Sequence, residues 1–595
     1  MDSEIRESAN INTKEFAIFI IHIINPFILK LIMTNYFTRI SELIARQDYD
    51  ELSRVVLNKP QHFNWVSEVF EATHIKNHPN KTALLWTDER ETLSFSFKDL
   101  QDRYNQLLCF LRKKGIEQGD VLLTQMMFQP INWIAILATI KGGLQLVPAA
   151  SILGVHDLVY RFSKTLPKVI IADLDNAAKI DEAERLSERK IPVKIIADGQ
   201  REGWISLDEI ALESITAEAA ETKPDDNLFL FFTSGTTDLP KIVCHTHWSQ
   251  PIGHLTTASW IGLTADDIHY NISQPGWAKF AWSSVFAPWN VGATVFAHHT
   301  TERFNAAKTL KLIEKHQITT LCAPPTVLRL FIQEDLKSYA FKFRQCVAAG
   351  EPLNPEIIEQ WKAGTGILIR DGFGQTESTC MIANLPGKKV KLGSMGKPTF
   401  LYDILIADDE GNSLPDNEEG NICVKTSAER LNGLFKGYLY DKERERQVFR
   451  NGVYFTGDKA YKDSDGYIWF IGRDDDVIKS SDYRIGPFEV ESALLEHGRV
   501  LESAVIGSPH EAKGFEVKAF VVLKDLSLGS KELADELFAF SREHIAPYKM
   551  PRLIEFVTEV PKTISGKIRR VELRALQAER ISKNLIVDRE YTYRR

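Results

Sequence analysis

From Asn80 onward the chain alternates short apolar runs with amphipathic stretches, and this alternation limits the possible folds more than any other feature. DVLLTQM, KVIIAD, VKIIAD, LFLFFTS, TVFAHH, TTLCAP and QCVAAG read as short buried strands. Between them, FSFKDLQDRYNQLLCFLRKKG reads as an amphipathic helix ended by Gly115, and NWIAILATIKGG as a helix with glycines at its end. Strands separated by helices imply α/β layers with parallel sheet. After about residue 390 the pattern changes. DILIADDEGNSLPDNEEGNICVKT is hairpin-like, with turn signals at Gly411 and Gly420. YKDSDGYIWFIGRDDDVIKSSDYRIGP repeats the pattern around an Asp-Gly turn. From about Val477, strands such as ESAVIG and VKAFVVL mix with helices in what reads as a separate small domain.

A chain of 595 residues exceeds what one core serves. The expected class is therefore mixed α/β and α+β: a large N-terminal domain of layered α/β subdomains plus a small mobile C-terminal α+β domain. The expected boundaries are an apolar extension over 1–32, the large domain over 33–472, a hinge at 473–476, the small domain over 477–582 and a tail over 583–595. FAIFIIHIINPFILKLIM, from Phe16 to Met33, is interrupted by His22, Asn25, Pro26 and Lys30, and falls near the margin for a spanning helix. The acids before it leave no basic n-region of a signal peptide and argue against an Arg-rich transit peptide. Two readings stay open, a weak membrane anchor or residues upstream of a true start at Met33, and the second is preferred. Membrane contact is expected only if the apolar segment is real.

The net charge of −8 gives no footprint of a nucleic-acid binder, so no nucleic-acid partner is expected. Six scattered cysteines fit neither a zinc knuckle nor a disulfide framework. They read as buried thiols in a reducing, cytoplasmic compartment.

The chemistry gathers in five stretches. In FFTSGTTDLPK a buried strand runs straight into Thr233, Ser234, Gly235, Thr236 and Thr237, with Lys241 close behind. Small hydroxyl residues around a glycine offer N–H and O–H donors to phosphate oxygens, although alone such a cluster is usually just a turn. DGFGQTES brings Glu377, a hard oxygen ligand suited to Mg²⁺. YFTGDKAY presents Asp458, GRDDD presents Arg473, and PKTISGKIRR presents Lys567 in a small turn.

In this order the five stretches resemble the adenylate-forming superfamily of acyl-CoA synthetases, peptide-synthetase adenylation domains and luciferases, from about residue 60 to 580. PGWAKFAWSSVFAPWNVGATVFAHH and SSDYRIGPFEVESALLEH are similar to the medium-chain acyl-CoA synthetases. The resemblance implies a two-step ligase. A carboxylate attacks the α-phosphate of MgATP, giving acyl-adenylate and pyrophosphate, and the thiol of coenzyme A then displaces AMP.

It also implies roles. Lys567 bridges the carboxylate and α-phosphate, and Glu377 holds Mg²⁺. Thr233 to Thr237, with Asp238 in the same loop and Lys241 behind it, cradle the outer phosphates. Gly350, Glu351 and Pro352 line the adenine, with Phe373 against its ring. Asp371, Gly372, Gly374, Gln375 and Thr376 complete that stretch. Asp458 accepts from the ribose hydroxyls, assisted by Arg473. The hinge falls on Asp475. Rotation there would replace Lys567 with the segment Ser481, Asp482, Tyr483 and Arg484, which with Lys513, Tyr548, Lys549 and Met550 matches the coenzyme A positions. Acetate-specific relatives carry Trp where this chain has Gly374. Its absence, with Trp277 as a wall, implies room for a medium-chain, branched or aromatic acid.

Two positions depart from the pattern: Asp238 and Asp482 stand where glycine is usual. An acid about 4 Å from a phosphate costs about 1 kcal/mol in water and about 4 kcal/mol at an effective dielectric of 20. Slower adenylation is the expected result of Asp238, and obstruction of the pantetheine path that of Asp482. Two alternatives remain: transfer of the adenylate to another acceptor, or a binding protein without catalysis.

Overall fold

The computed structural model describes residues 26–233, 240–426, 432–481, 483–510, 513–562 and 567–593, with side chains from Tyr36 onward. Ser234, Gly235, Thr236, Thr237, Asp238 and Asp482 lie outside the described residues.

Two large sheets form the frame. The nine-stranded sheet runs Lys397–Pro398, Cys380–Ala383, Ile369–Gly374, Gln345–Ala348, Thr320–Ala323, Ile268–Asn271, Thr294–His298, Thr82–Thr87 and Thr92–Ser96. Its six inner strands are parallel, and antiparallel partners close both edges. The seven-stranded sheet runs Gly437–Tyr438, Lys241–Thr246, Asn227–Thr233, Gln145–Ala149, Val121–Gln125, Val169–Ala172 and Val193–Ile196. Each apolar run read above as a strand is one. The reason is visible in burial: Val121–Gln125 and Val169–Ala172 are buried at every position, as parallel strands covered on both faces must be.

Helices follow their end signals. Ser96 caps Phe97–Lys113 in a capping box with Asp99. Ile131–Gly142 stops where Gly143 turns to a φ of +67°. The helix Pro26–Ala45 extends past Met33, and it buries Phe37, Ile40, Leu43 and Ile44 in the main core. No helix among the described residues is long and apolar enough to cross a membrane.

After residue 400 a five-stranded sheet forms from Ile404–Ala407, Glu419–Lys425, Val453–Lys462, Phe449–Arg450 and Ile468–Arg473. Its last strand leads into the C-terminal domain, whose six-stranded sheet surrounds the pair Val500–His510 and Gly514–Leu523. The segment expected as a tail contributes to it, because Glu590–Thr592 pairs with Leu553–Phe556.

The three acids of GRDDD divide between the domains. Asp474 pairs with Lys459 at 3.3 Å on the large-domain side. Asp476 pairs with Arg574 at 2.6 Å and Arg570 at 3.4 Å on the small-domain helix. Asp475 between them contacts Arg473, two residues away.

Candidate active site

The strand Asn227–Thr233 delivers Thr233 to the mouth of the loop expected to hold phosphates, and the antiparallel strand Lys241–Thr246 returns from it. The Thr233 hydroxyl is buried with no hydrogen-bond partner among the described residues, so it has bonding capacity left for a ligand oxygen. Lys241 reaches across to Glu377, and the Tyr438 hydroxyl donates to the same Glu377 oxygen at 2.9 Å. Burial pushes the Glu377 carboxyl up. The Lys241 charge and the two hydrogen bonds outweigh it, so Glu377 sits below its ordinary value and is ionised. Its neighbour Thr376 is fixed by the buried His245 ring, whose Nε2 lies 2.7 Å from the Thr376 carbonyl oxygen.

DGFGQTE forms the end of Ile369–Gly374 and the turn beyond. Gly372 is required by packing: a Cβ there would lie 2.5 Å from the Trp260 ring. Burial holds the Asp371 carboxyl up at about 8 against the backbone N–H bonds and the Lys279 charge. Phe373 is half-buried, 6.4 Å from the Phe470 ring. Gln375 is clamped by both its ends. Its amide donates to Asp458 and, at 2.9 Å, to the Thr456 carbonyl, while its oxygen accepts from Tyr454 at 3.0 Å.

Asp458 ends this network. It is buried, and burial raises its carboxyl to about 6 against the pull of Arg473, Lys567 and Gln375. Lys567 arrives from the C-terminal domain. Surrounding protein lowers its ammonium below the ordinary value, Asp458 opposes that shift, Arg473 adds to it, and Glu351 and Glu377 also oppose it. Lys567 is exposed. Glu351 pairs with Arg329 at 3.2 Å and keeps one buried oxygen unpartnered. Beside it Gly350 takes a φ of +110°, and Lys279 donates to the Ala349 carbonyl at 2.6 Å.

Residues expected for coenzyme A form a second group. Tyr483 stacks on Tyr548 at 4.3 Å, and the Ser481 N–H donates to the Lys513 carbonyl at 2.9 Å. Ser481 in this hairpin takes a left-handed φ of +54°. Arg484 and Lys513 are exposed, while Lys549 is paired with Glu489. Met550 departs from its expected role. It is 2 % exposed inside the small-domain core, so its side chain packs rather than binds.

The acyl-pocket expectation also changes. The space beside Gly374 is not empty. A Cβ there would lie 2.1 Å from the Thr379 carbonyl oxygen and 2.8 Å from Cη2 of Trp282. The indole of Trp282 thus occupies room that the missing side chain was expected to free, while Trp277 packs against the neighbouring core cluster. Trp282, Tyr438, Tyr454 and His245 are the participants that sequence reasoning missed. Aromatic residues in apolar surroundings carry no signal that separates them from core.

The sequence model of the AMP-binding enzyme family matches residues 71–439, and that of the AMP-binding enzyme C-terminal domain matches 489–567. The chain is 48% identical over 535 residues to 4-hydroxybutyrate–CoA ligase 1 of Metallosphaera sedula, covering 89% of this chain and 93% of that one. It is 40% identical to the mitochondrial acyl-coenzyme A synthetase ACSM3 of Mus musculus, covering 87% and 90%. The crystal structure of the anthranilate CoA ligase AuaEII with anthranoyl-AMP superposes with a TM-score of 0.80 at 29% identity, over 89% of this chain and 99% of that one.

Proposed function

The chain belongs to the AMP-binding enzyme family, and from that premise we propose that it is an AMP-forming acid–thiol ligase, joining a carboxylic acid to coenzyme A through an acyl-adenylate. The observation that carries the assignment to these residues is that Lys567, from the small domain, lies within electrostatic reach of Asp458, Glu351 and Glu377 of the large one and of Arg473 at the junction. Mere nucleotide binding does not need a lysine brought from another domain.

The chemistry follows from charge. Carboxylate and triphosphate repel each other, and a carboxylate is a poor acyl donor because oxide is a poor leaving group. Lys567, at the anionic junction, offsets the repulsion and orients both oxygens. Asp458, held by Gln375, accepts from the ribose hydroxyls. Thr233 and Lys241 bind the outer phosphates, Lys241 leaving Glu377 to do so. Glu377 then offers an ionised oxygen to Mg²⁺, which supplies charge neutralisation to the phosphates when bound. The residues fit that ion: Glu377 is a buried, ionised carboxylate, and Mg²⁺ takes one or two protein carboxylates with phosphates and water for the rest.

For the second step the Asp474 and Asp476 anchors leave Asp475 to absorb a backbone change. Rotation there would bring Tyr483, Tyr548 and the exposed Arg484 and Lys513 to the coenzyme. The acid is short to medium in length, because Trp282 limits the pocket beside Gly374. The test is pyrophosphate exchange into ATP with acids from acetate to decanoate and benzoate, followed by AMP release with and without coenzyme A. Exchange that needs an acid, and AMP release that needs coenzyme A, is the expected result, with both lost or slowed at least a hundredfold in Lys567→Met. No exchange with any acid would overturn the assignment.

A further inference from the structure

Near the nucleotide stretch lie a buried donor and a buried acceptor that no described residue satisfies. Trp282 is 7 % exposed, and its Nε1 has no hydrogen-bond partner. Gln250, on the helix Ser249–Ile261, is fully buried with its Oε1 unpartnered. Both side chains contact His254. The Gln250 amide nitrogen lies 3.1 Å from His254 Nε2, and the Trp282 and His254 rings lie 5.5 Å apart. His254 is spoken for. Its Nδ1 lies 3.1 Å from the Thr257 hydroxyl, its other face stacks on Phe286, and burial keeps the ring neutral. A neutral imidazole has one donor and one acceptor, so accepting from Gln250 leaves its N–H for Thr257.

Two orphan atoms beside one buried histidine are unusual, because an unmet buried polar group keeps its full desolvation cost. The position is also unusual. The far edge of the same Trp282 ring lies 2.8 Å from where a Cβ on Gly374, in the nucleotide stretch, would stand. Trp282 opens a single π-helical turn, Trp282–Phe286, a local irregularity that recurs at functional sites.

We propose that Trp282 Nε1 and Gln250 Oε1 form a hydroxyl-recognition pair, and that the preferred acid carries a hydroxyl at the end remote from its carboxylate. A hydroxyl is the small neutral group that accepts and donates at one atom. It accepts from the Trp282 N–H and donates to the Gln250 oxygen. A methyl group in its place leaves both protein atoms buried and unmet. Sites built to bond a substrate hydroxyl reject the analogue lacking it far more strongly than apolar pockets distinguish one methylene. Trp282 and Gln250 are thus specificity-determining residues for the ligase reaction proposed above, on which this inference rests.

The test is a ratio. The full chain is assayed for acyl-CoA formation with 4-hydroxybutyrate against butyrate, and 6-hydroxyhexanoate against hexanoate. The expected wild-type kcat/KM favours the better hydroxy acid over its plain partner by at least tenfold. Trp282→Phe removes the N–H and keeps an aromatic ring, and Gln250→Met removes the oxygen at similar length. Each is expected to reduce the ratio at least tenfold, and a general loss of activity cancels from it. Plain acids used as well as hydroxy acids by the wild type, as when a buried water meets the pair instead, would overturn the proposal. So would variants that keep the wild-type ratio. Failure of every acid to support acyl-CoA formation would overturn the ligase reading itself.

Discussion

Replacing Trp282 by alanine should lengthen the acid that this enzyme accepts. The indole edge stands 2.8 Å from where a Cβ on Gly374 would lie, and the residue is 7 % exposed, so its removal opens space directly beside the nucleotide stretch. Each methylene that an acid buries in that space is worth about 0.8 kcal/mol. Butyrate and octanoate differ by four methylenes, so the gain reaches about 3 kcal/mol, or roughly two-hundredfold in relative kcat/KM. The substitution costs stability, about 3–5 kcal/mol for a buried tryptophan. The variant must therefore first show cooperative thermal unfolding. The assay is kcat/KM for AMP release with butyrate, hexanoate, octanoate and decanoate, expressed as the octanoate-to-butyrate ratio in variant over wild type. A folded variant whose ratio moves less than threefold would refute the reasoning, since the acid would then not reach Trp282.

Gly374→Ala should lower stability by about 1–3 kcal/mol, because its Cβ must displace the Thr379 carbonyl. Calorimetry reads that loss, and pyrophosphate exchange should fall with it. Lys241→Met leaves Glu377 buried without its cation, which costs about 3 kcal/mol. The pairing depresses the Glu377 carboxyl, so its stabilisation is present above the ordinary glutamate value and lost as pH falls. The Tm difference between Lys241→Met and wild type should accordingly be large at pH 7 and shrink below pH ~4, the ordinary glutamate value. Asp371 has the opposite sign. Burial raises it to about 8, so the native state holds a proton that the unfolded state releases, and stability declines as pH rises toward and through that value. Asp371→Asn should flatten the fall in Tm from about pH 5 to 9, and an unchanged slope would rule out this titration.

The sequence by itself determined the layered α/β frame, and it singled out Lys567, Asp458, Arg473 and Glu377 as the candidates for chemistry. Those features are local. Buried parallel strands are continuous apolar runs, helix ends carry Ser, Asp and Gly at set places, and reacting groups sit in short contiguous stretches. The tertiary structure decided what depends on two distant segments meeting. Glu377 is ionised because Lys241 and Tyr438, 136 and 61 residues away, converge on one oxygen. Met550 sits in a list of surface-like neighbours, yet it faces the small-domain core. Gly374 read as vacancy, and a one-residue reading of volume had no means of seeing that Trp282 fills the gap from a distant helical turn. Volume and hydrogen-bond satisfaction belong to the packed neighbourhood, so the size and polarity of the acid pocket are tertiary properties, while the chemistry at its mouth is written along the chain.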